Sequence, residues 1–225
     1  MFRASRFQLL VASIAAAVTL PGAFRKFNAW QREWGATEDE LLRILPGDGR
    51  VPAPSYLTTR AITVNAEPRD IYPWLVQMGK GRGGLYSYDF LDRLFGILDA
   101  PSAKVILPEF QDLKPGDEIP VGRGGNFPVA DLRRDEFLLL AGEADGAAWT
   151  WSTALYPMSG GKTRIVTRNT GKGGPFDRRV LMAIVDIAAF IMVRRWLKVL
   201  KQRGEWLHAE RLAEVEVEGV VADAP

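Results

Sequence analysis

Residues 178–211 read as one long amphipathic helix, and this element limits the architecture more than any other. Val193, Trp196, Leu197, Leu200 and Leu207 form its apolar stripe, while Arg194, Lys198 and Lys201 lie on another face. A stripe of that length needs a long surface to cover. The preceding sequence offers one. Strands are predicted at 104–107, 117–121, 127–132, 136–141, 147–156 and 163–169, with Gly and Pro between them at close, regular spacing, as in an antiparallel meander. The alternation is clearest in 147–156. Trp149, Trp151 and Leu155 fall on one face; Ala148, Thr150, Ser152 and Ala154 fall on the other.

Upstream, the β-branched stretch 58–64 predicts a first strand. Pro68 then suits a first helical turn, and Ile71, Trp74, Leu75 and Met78 share one helical face. Gly79 to Gly84 end that helix, and 89–98 predicts another, with Phe90, Leu91, Leu94 and Phe95 apolar and Ser87 placed to cap it. Earlier still, Thr37-Glu38-Asp39-Glu40 is a capping box for a short helix that stops at Pro46-Gly47-Asp48, and Pro52 and Pro54 mark an extended connector. The order is strand, two helices, about six strands, long helix. A strongly curved antiparallel sheet must bury its concave face. The long helix can cover that face while the two short helices close one end. Side chains from a curved sheet do not all meet, so a space lined by apolar groups can remain, suited to an apolar small molecule. The expectation is an α+β helix-grip fold: a curved antiparallel sheet of six to seven strands on a long C-terminal helix.

Composition removes several functions. With no cysteine there are no disulfides, thiolate nucleophiles or cysteine metal sites, and a single histidine, His208, rules out a histidine cluster for a metal. A serine–histidine–acid triad would depend on His208 alone, which sits in a charged stretch that reads as an exposed helix end. A net charge of +2, without zinc-finger or RNA-binding signatures, argues against a nucleic-acid partner. Neither a metal nor a cofactor is expected.

Residues 7–24 are apolar apart from Gln8, Ser13 and Thr19, with Arg3 and Arg6 before them and Arg25 and Lys26 after. Eighteen helical residues span roughly 27 Å, slightly less than a bilayer core of about 30 Å. A signal anchor or marginal transmembrane helix, a signal peptide cleaved near Ala15-Ala16-Ala17, and a soluble helix packed on the domain all fit this pattern. The reading adopted is an anchor or signal segment at 1–26, a linker with a short helix at 27–57, a ligand-binding domain at 58–211 and a tail at 212–225. It puts the chain at a membrane through residues 7–24, with the side left open. Arg194, Arg195, Lys198 and Lys201 form a basic helix face, either solvated or turned to anionic lipid.

Several residues are candidates for a ligand site. Trp74, Tyr86, Tyr88, Trp149 and Trp151 either line a pocket or pack a core. Arg164 and Arg168 share a strand face with Val166; pointing inward, Arg168 would hold a ligand carboxylate or enolate, and pointing outward it would be solvated. Asp186 interrupts the apolar run of the long helix and needs a cationic partner or a place at the helix edge. Gly79-Lys80-Gly81-Arg82-Gly83-Gly84 satisfies a dinucleotide-binding spacing but follows a helix, so it reads as a tight loop with positive φ angles or as a lid. Gly160-Gly161-Lys162-Thr163 imitates the end of a P-loop, yet Tyr156 stands where the first glycine belongs; a hairpin turn fits better.

The sequence also resembles the SRPBCC superfamily, which groups START lipid-transfer domains, plant allergens and polyketide cyclases. Beyond the element order, Trp34-Gly35-Ala36-Thr37, Leu45-Pro46-Gly47-Asp48, Trp74-Leu75-Val76-Gln77-Met78-Gly79, Tyr86-Ser87-Tyr88-Asp89 and Arg194-Arg195-Trp196-Leu197 resemble bacterial members of its cyclase/dehydratase-like branch. The likeness covers roughly residues 30–208. It implies a helix-grip fold and a hydrophobic ligand, such as a lipid, isoprenoid, quinone or polyketide-like molecule, but not a reaction. The alternative is a cyclase, aromatase or dehydratase using Tyr86, Tyr88, Arg82 or Arg168 in the same cavity.

Overall fold

Strands and helices follow the expected order in the computed structural model, which describes residues 21–222 except Phe95, Arg123, Gly124 and Asp145. Six strands form one sheet: β1 (Tyr56–Val64), β2 (Glu118–Pro120), β3 (Asn126–Arg133), β4 (Phe137–Ala144), β5 (Ala147–Met158) and β6 (Lys162–Lys172). Their order across the sheet is β1-β6-β5-β4-β3-β2, every neighbouring pair antiparallel. β1 therefore joins the meander at its far end, with Tyr56 opposite Gly171 and Val64 opposite Thr163. Gly160 and Gly161, both at positive φ, turn β5 into β6, so the P-loop imitation is a hairpin.

Among the described residues, five α-helices surround the sheet: α1 (Pro21–Arg32), α2 (Glu38–Leu42), α3 (Pro68–Val76), α4 (Asp89–Leu94) and α5 (Arg179–Ala222). The capping box forms as the sequence predicts. Thr37 Oγ1 accepts from the Glu40 N–H at 3.3 Å, and Glu40 Oε2 accepts from the Thr37 N–H at 2.8 Å. α5 is 44 residues long and runs beyond the predicted end at 211. Its stripe residues Trp196, Leu197 and Leu200 meet the inward side chains of the sheet, among them Leu138, Leu140, Leu155 and Ile165, and the buried face of α3, Ile71, Trp74 and Leu75. The opposite face of the sheet is covered too. Leu45 packs there on Ala61 and Val166, beside Ala36 and Tyr156.

Three expectations need correction. Residues 104–107 form no strand. The Gln77 side chain takes up their backbone instead, donating from Nε2 to the Val105 carbonyl at 3.2 Å and accepting the Leu107 N–H on Oε1 at 2.9 Å. The second short helix ends at Leu94 rather than 98, because Gly96 adopts a φ of 70° and closes a Schellman motif. Its N–H bonds to the Arg93 carbonyl, and the Ile97 N–H bonds to the Asp92 carbonyl. The predicted cap is also different, since the Ser87 hydroxyl donates to the Asp92 carboxylate. Phe95, counted on that helix, lies outside the described residues.

Among the described residues no helix is long and apolar enough to cross a membrane. Of the hydrophobic segment 7–24, only the last four residues are described, as the start of α1; the remainder lies outside the described residues.

Candidate functional site

The alternation along β5 points Trp149 and Trp151 toward α5, where Phe127 of β3 meets both edge-on, with ring centroids 5.4 and 5.8 Å apart. Trp196 of α5 packs on Trp151 at 5.3 Å. Opposite these wide rings, α5 presents the small side chain of Ala189. Rigid rings facing a methyl group do not interdigitate, and space remains. It consists of two adjoining chambers. One, of about 310 Å³, has Tyr56, Arg60, Trp149 and Met182 among its walls. The other, of about 290 Å³, has Leu85, Ile97, Val121 and Trp196. Phe127, Trp151, Ala189 and Val193 belong to both, so the chambers form one groove under the helix. The fold is a helix-grip.

One end of the helix-grip groove is polar. Asp186 is fully buried on α5. Its Oδ1 accepts the Tyr56 hydroxyl at 2.9 Å, and its Oδ2 accepts Gln31 Nε2 at 2.7 Å and Arg32 Nε at 2.6 Å. Arg60 Nη2 lies 3.5 Å from Oδ1 in a buried ion pair. The Arg60 guanidinium also donates to the Gln31 carbonyl at 2.8 Å and to Gln31 Oε1 at 2.9 Å. Burial, reinforced by the negative charge of Asp186, pushes the Tyr56 phenol up to about 12. Burial also lowers the pKa of Arg60 below its ordinary value, and Tyr56 and Asp186 resist the drop. Every group here has a partner, as a buried network requires.

Of the residues singled out from the sequence, Trp149 and Trp151 line the groove, and Asp186 stands at its polar end behind Tyr56 and Arg60. The other four lie elsewhere. Trp74 is core, edge-on to Tyr86 at 6.0 Å. Tyr86 lines a separate pocket, and Tyr88 is 40% exposed with Arg195 over its ring. Arg168 projects from the face turned away from α5, neither ligand-facing nor solvated. At 4% exposure it donates to the carbonyls of Glu40, Leu41 and Arg43 at the end of α2 and to Asp48 at 2.6 Å. It thus caps a helix C-terminus. Arg164 on the same face grips Glu40 with two bonds. Arg82 is likewise committed, to the Val76 and Met78 carbonyls that end α3. The glycine loop around it is the tight helix-to-helix turn, with Gly79, Gly81 and Gly84 at positive φ and Gly79 paired to Gly84.

Sequence reasoning missed Tyr56, Arg60, Phe127 and Ala189. Arg60 shares strand parity with Ile62 and Val64, and that parity was the signal for its inward direction.

No family model matches the sequence, and no curated protein matches it. Solved structures similar to this chain include the Helicobacter pylori protein jhp0584 (12% identity, TM-score 0.48, covering 72% of this chain and 96% of that one). CV1439 from Chromobacterium violaceum is similar at 14% identity and TM-score 0.42, covering 66% and 96%. CalU16 from Micromonospora echinospora is similar at 12% identity and TM-score 0.34, covering 68% and 86%.

Proposed function

We propose that the chain holds a hydrophobic small molecule, of lipid, isoprenoid, quinone or polyketide-like type, in the groove between α5 and the sheet, as an SRPBCC-type binding protein. The observation that carries this reading is the pair of adjoining chambers walled by Phe127, Trp149, Trp151 and Trp196. Each approaches or reaches the lower end of the roughly 300–1,000 Å³ typical of ligand pockets. An apolar, aromatic lining of this kind suits an apolar guest. A ligand oxygen would meet Tyr56 and Arg60 at the polar end. Those groups are spent on Asp186 and Gln31, which favours holding a molecule over transforming it.

Segment 7–24 would serve as the anchor. Phe27 and Trp30, exposed on α1 just after it, pack against each other at a tilt and suit a bilayer interface. Fractionation of cells carrying the full chain or a chain begun at residue 27 tests this part: the full chain should pellet with membranes and the shortened one should not.

For the ligand, purified protein is denatured, extracted with organic solvent and analysed by mass spectrometry, in parallel with uptake of a fluorescent fatty-acid probe. A stoichiometric hydrophobic compound, or saturable uptake, is expected. Empty protein that also ignores the probe overturns the reading.

A further inference from the structure

Ser87 lines the apolar groove and also a second pocket of different character, about 420 Å³ in volume. Lys104, Arg195 and Arg203 supply its positive charges and Asp89 the negative one. Asp89 is already engaged: Oδ1 accepts the Ser102 hydroxyl at 2.6 Å and Oδ2 the Ser102 N–H at 2.9 Å. Arg203 is not. Its guanidinium carbon sits 4.5 Å from the Tyr86 ring centroid and 5.0 Å from that of Trp74. Its Nη1 is buried without a hydrogen-bond partner, and none of the ion pairs among the described residues involves it. Tyr86, 1% exposed, lines the same pocket with its ring, and its hydroxyl is turned toward Gln77.

A buried guanidinium N–H left unsatisfied at a pocket is unusual, because proteins pair nearly all such groups. Aromatic faces attract a guanidinium but accept none of its five N–H bonds directionally. Arg168, Arg164 and Arg60 all have oxygen partners in this protein, which sets Arg203 apart. Burial already pulls the pKa of Arg203 below its ordinary value. A carboxylate or phosphate oxygen would supply what Nη1 lacks, and would oppose that pull.

We propose that this pocket receives the anionic group, carboxylate or phosphate, of an amphipathic ligand whose apolar tail passes Ser87 into the groove under α5, with Arg203 as its ion-pair partner. The proposal rests on the groove being a hydrophobic binding site and adds the charge of the ligand to that reading.

Titration calorimetry with four probes separates the two. Dodecanoate, dodecyl phosphate, dodecanol and inorganic phosphate are each added below any micelle-forming concentration to the wild-type chain and to Arg203→Met. One charge-assisted contact in a desolvated site should favour an anionic probe over dodecanol by about tenfold or more. Arg203→Met should erase that preference and leave dodecanol binding as it was. Equal binding of dodecanol and both anionic probes to the wild-type chain overturns the anion pocket and leaves the groove standing; this comparison needs no variant. A preference that survives in Arg203→Met overturns it as well. Inorganic phosphate binding as tightly as dodecyl phosphate marks a site for free anions and overturns the amphipath. If none of the dodecyl compounds binds, the groove reading itself fails and this inference with it.

Discussion

Asp186 on the last helix accepts the hydroxyl hydrogen of Tyr56 on the first strand at 2.9 Å, across 130 residues of sequence. The same carboxylate takes Gln31 and Arg32 from α1 and pairs with Arg60 from β1. One buried anion thereby joins three elements at the rim of the groove. Removing it leaves Arg60, 1% exposed, as a buried cation without an acid. Asp186→Ala should cost about 3–5 kcal/mol, the range for breaking a buried pair by deleting one partner. Asp186→Asn keeps an acceptor for Tyr56 and should cost less. Urea unfolding midpoints measure both; an alanine variant as stable as wild type would show that the cluster is not a clasp.

The same carboxylate also bears on the alkaline titration of Tyr56. Burial, aided by neighbouring negative charge, holds Tyr56 and Tyr72 near 12, and burial holds Tyr86 still higher. Absorbance at the phenolate band should therefore register fewer than all five tyrosines before the protein unfolds in alkali. In Asp186→Asn the negative neighbour is gone, its opposition to the phenolate disappears, and Tyr56 should ionise at lower pH. An unchanged titration curve would deny the coupling.

Acid stability should depend on Asp70. Burial opposes its charge, but hydrogen bonds from Arg211 and His208 outweigh burial and lower its pKa below 3.8. A carboxyl depressed on folding contributes stability that is present above its unfolded value and lost as pH falls through the folded one. The loss should thus occur below about pH 3.8, where Asp70→Asn, lacking the proton uptake, should show a flatter decline. Folding free energy measured from pH 2 to 6 decides this. Parallel curves would remove Asp70 from the acid transition.

Filling the groove should block it. Ala189 belongs to both chambers, so the indole of Ala189→Trp has space to enter. Probe uptake should fall by about tenfold or more, while any overpacking stays within about 1–3 kcal/mol. A variant that folds and still binds normally would place the ligand elsewhere.

The glycine loop can be tested by position. Both Gly81 and Gly84 have positive φ, but a Cβ on Gly84 would sit 2.7 Å from the Ser102 Cα, whereas one on Gly81 meets nothing. Gly84→Ala should cost about 2–4 kcal/mol, conformational strain plus overlap, against about 1 kcal/mol for Gly81→Ala. Equal thermal midpoints would mean that Ser102 gives way.

Local signals carried the elements well. The Thr37–Glu40 capping box, the β5 alternation and the Gly160-Gly161 turn are all written within a few residues and form as read. The failures are non-local. Residues 104–107 have strand-like composition, but the Gln77 side chain, from another element, claims their backbone. Arg168 lies opposite Thr59, and nothing in β6 itself reveals that α2 offers three carbonyls to that face. Asp186 visibly needed a cation. That the cations are Arg32 and Arg60 depends on how α5 lies against α1 and β1, a register that no one stretch encodes alone.

The pairing of β1 with β6 has a consequence for biosynthesis. Every rung of that ladder, from Val64–Thr163 to Tyr56–Gly171, joins residues made about a hundred positions apart. Because loops of that length close late, β1 emerges from the ribosome long before its neighbour exists. About a hundred of the 225 residues are added while this strand has no partner, and the helix over the groove follows later still.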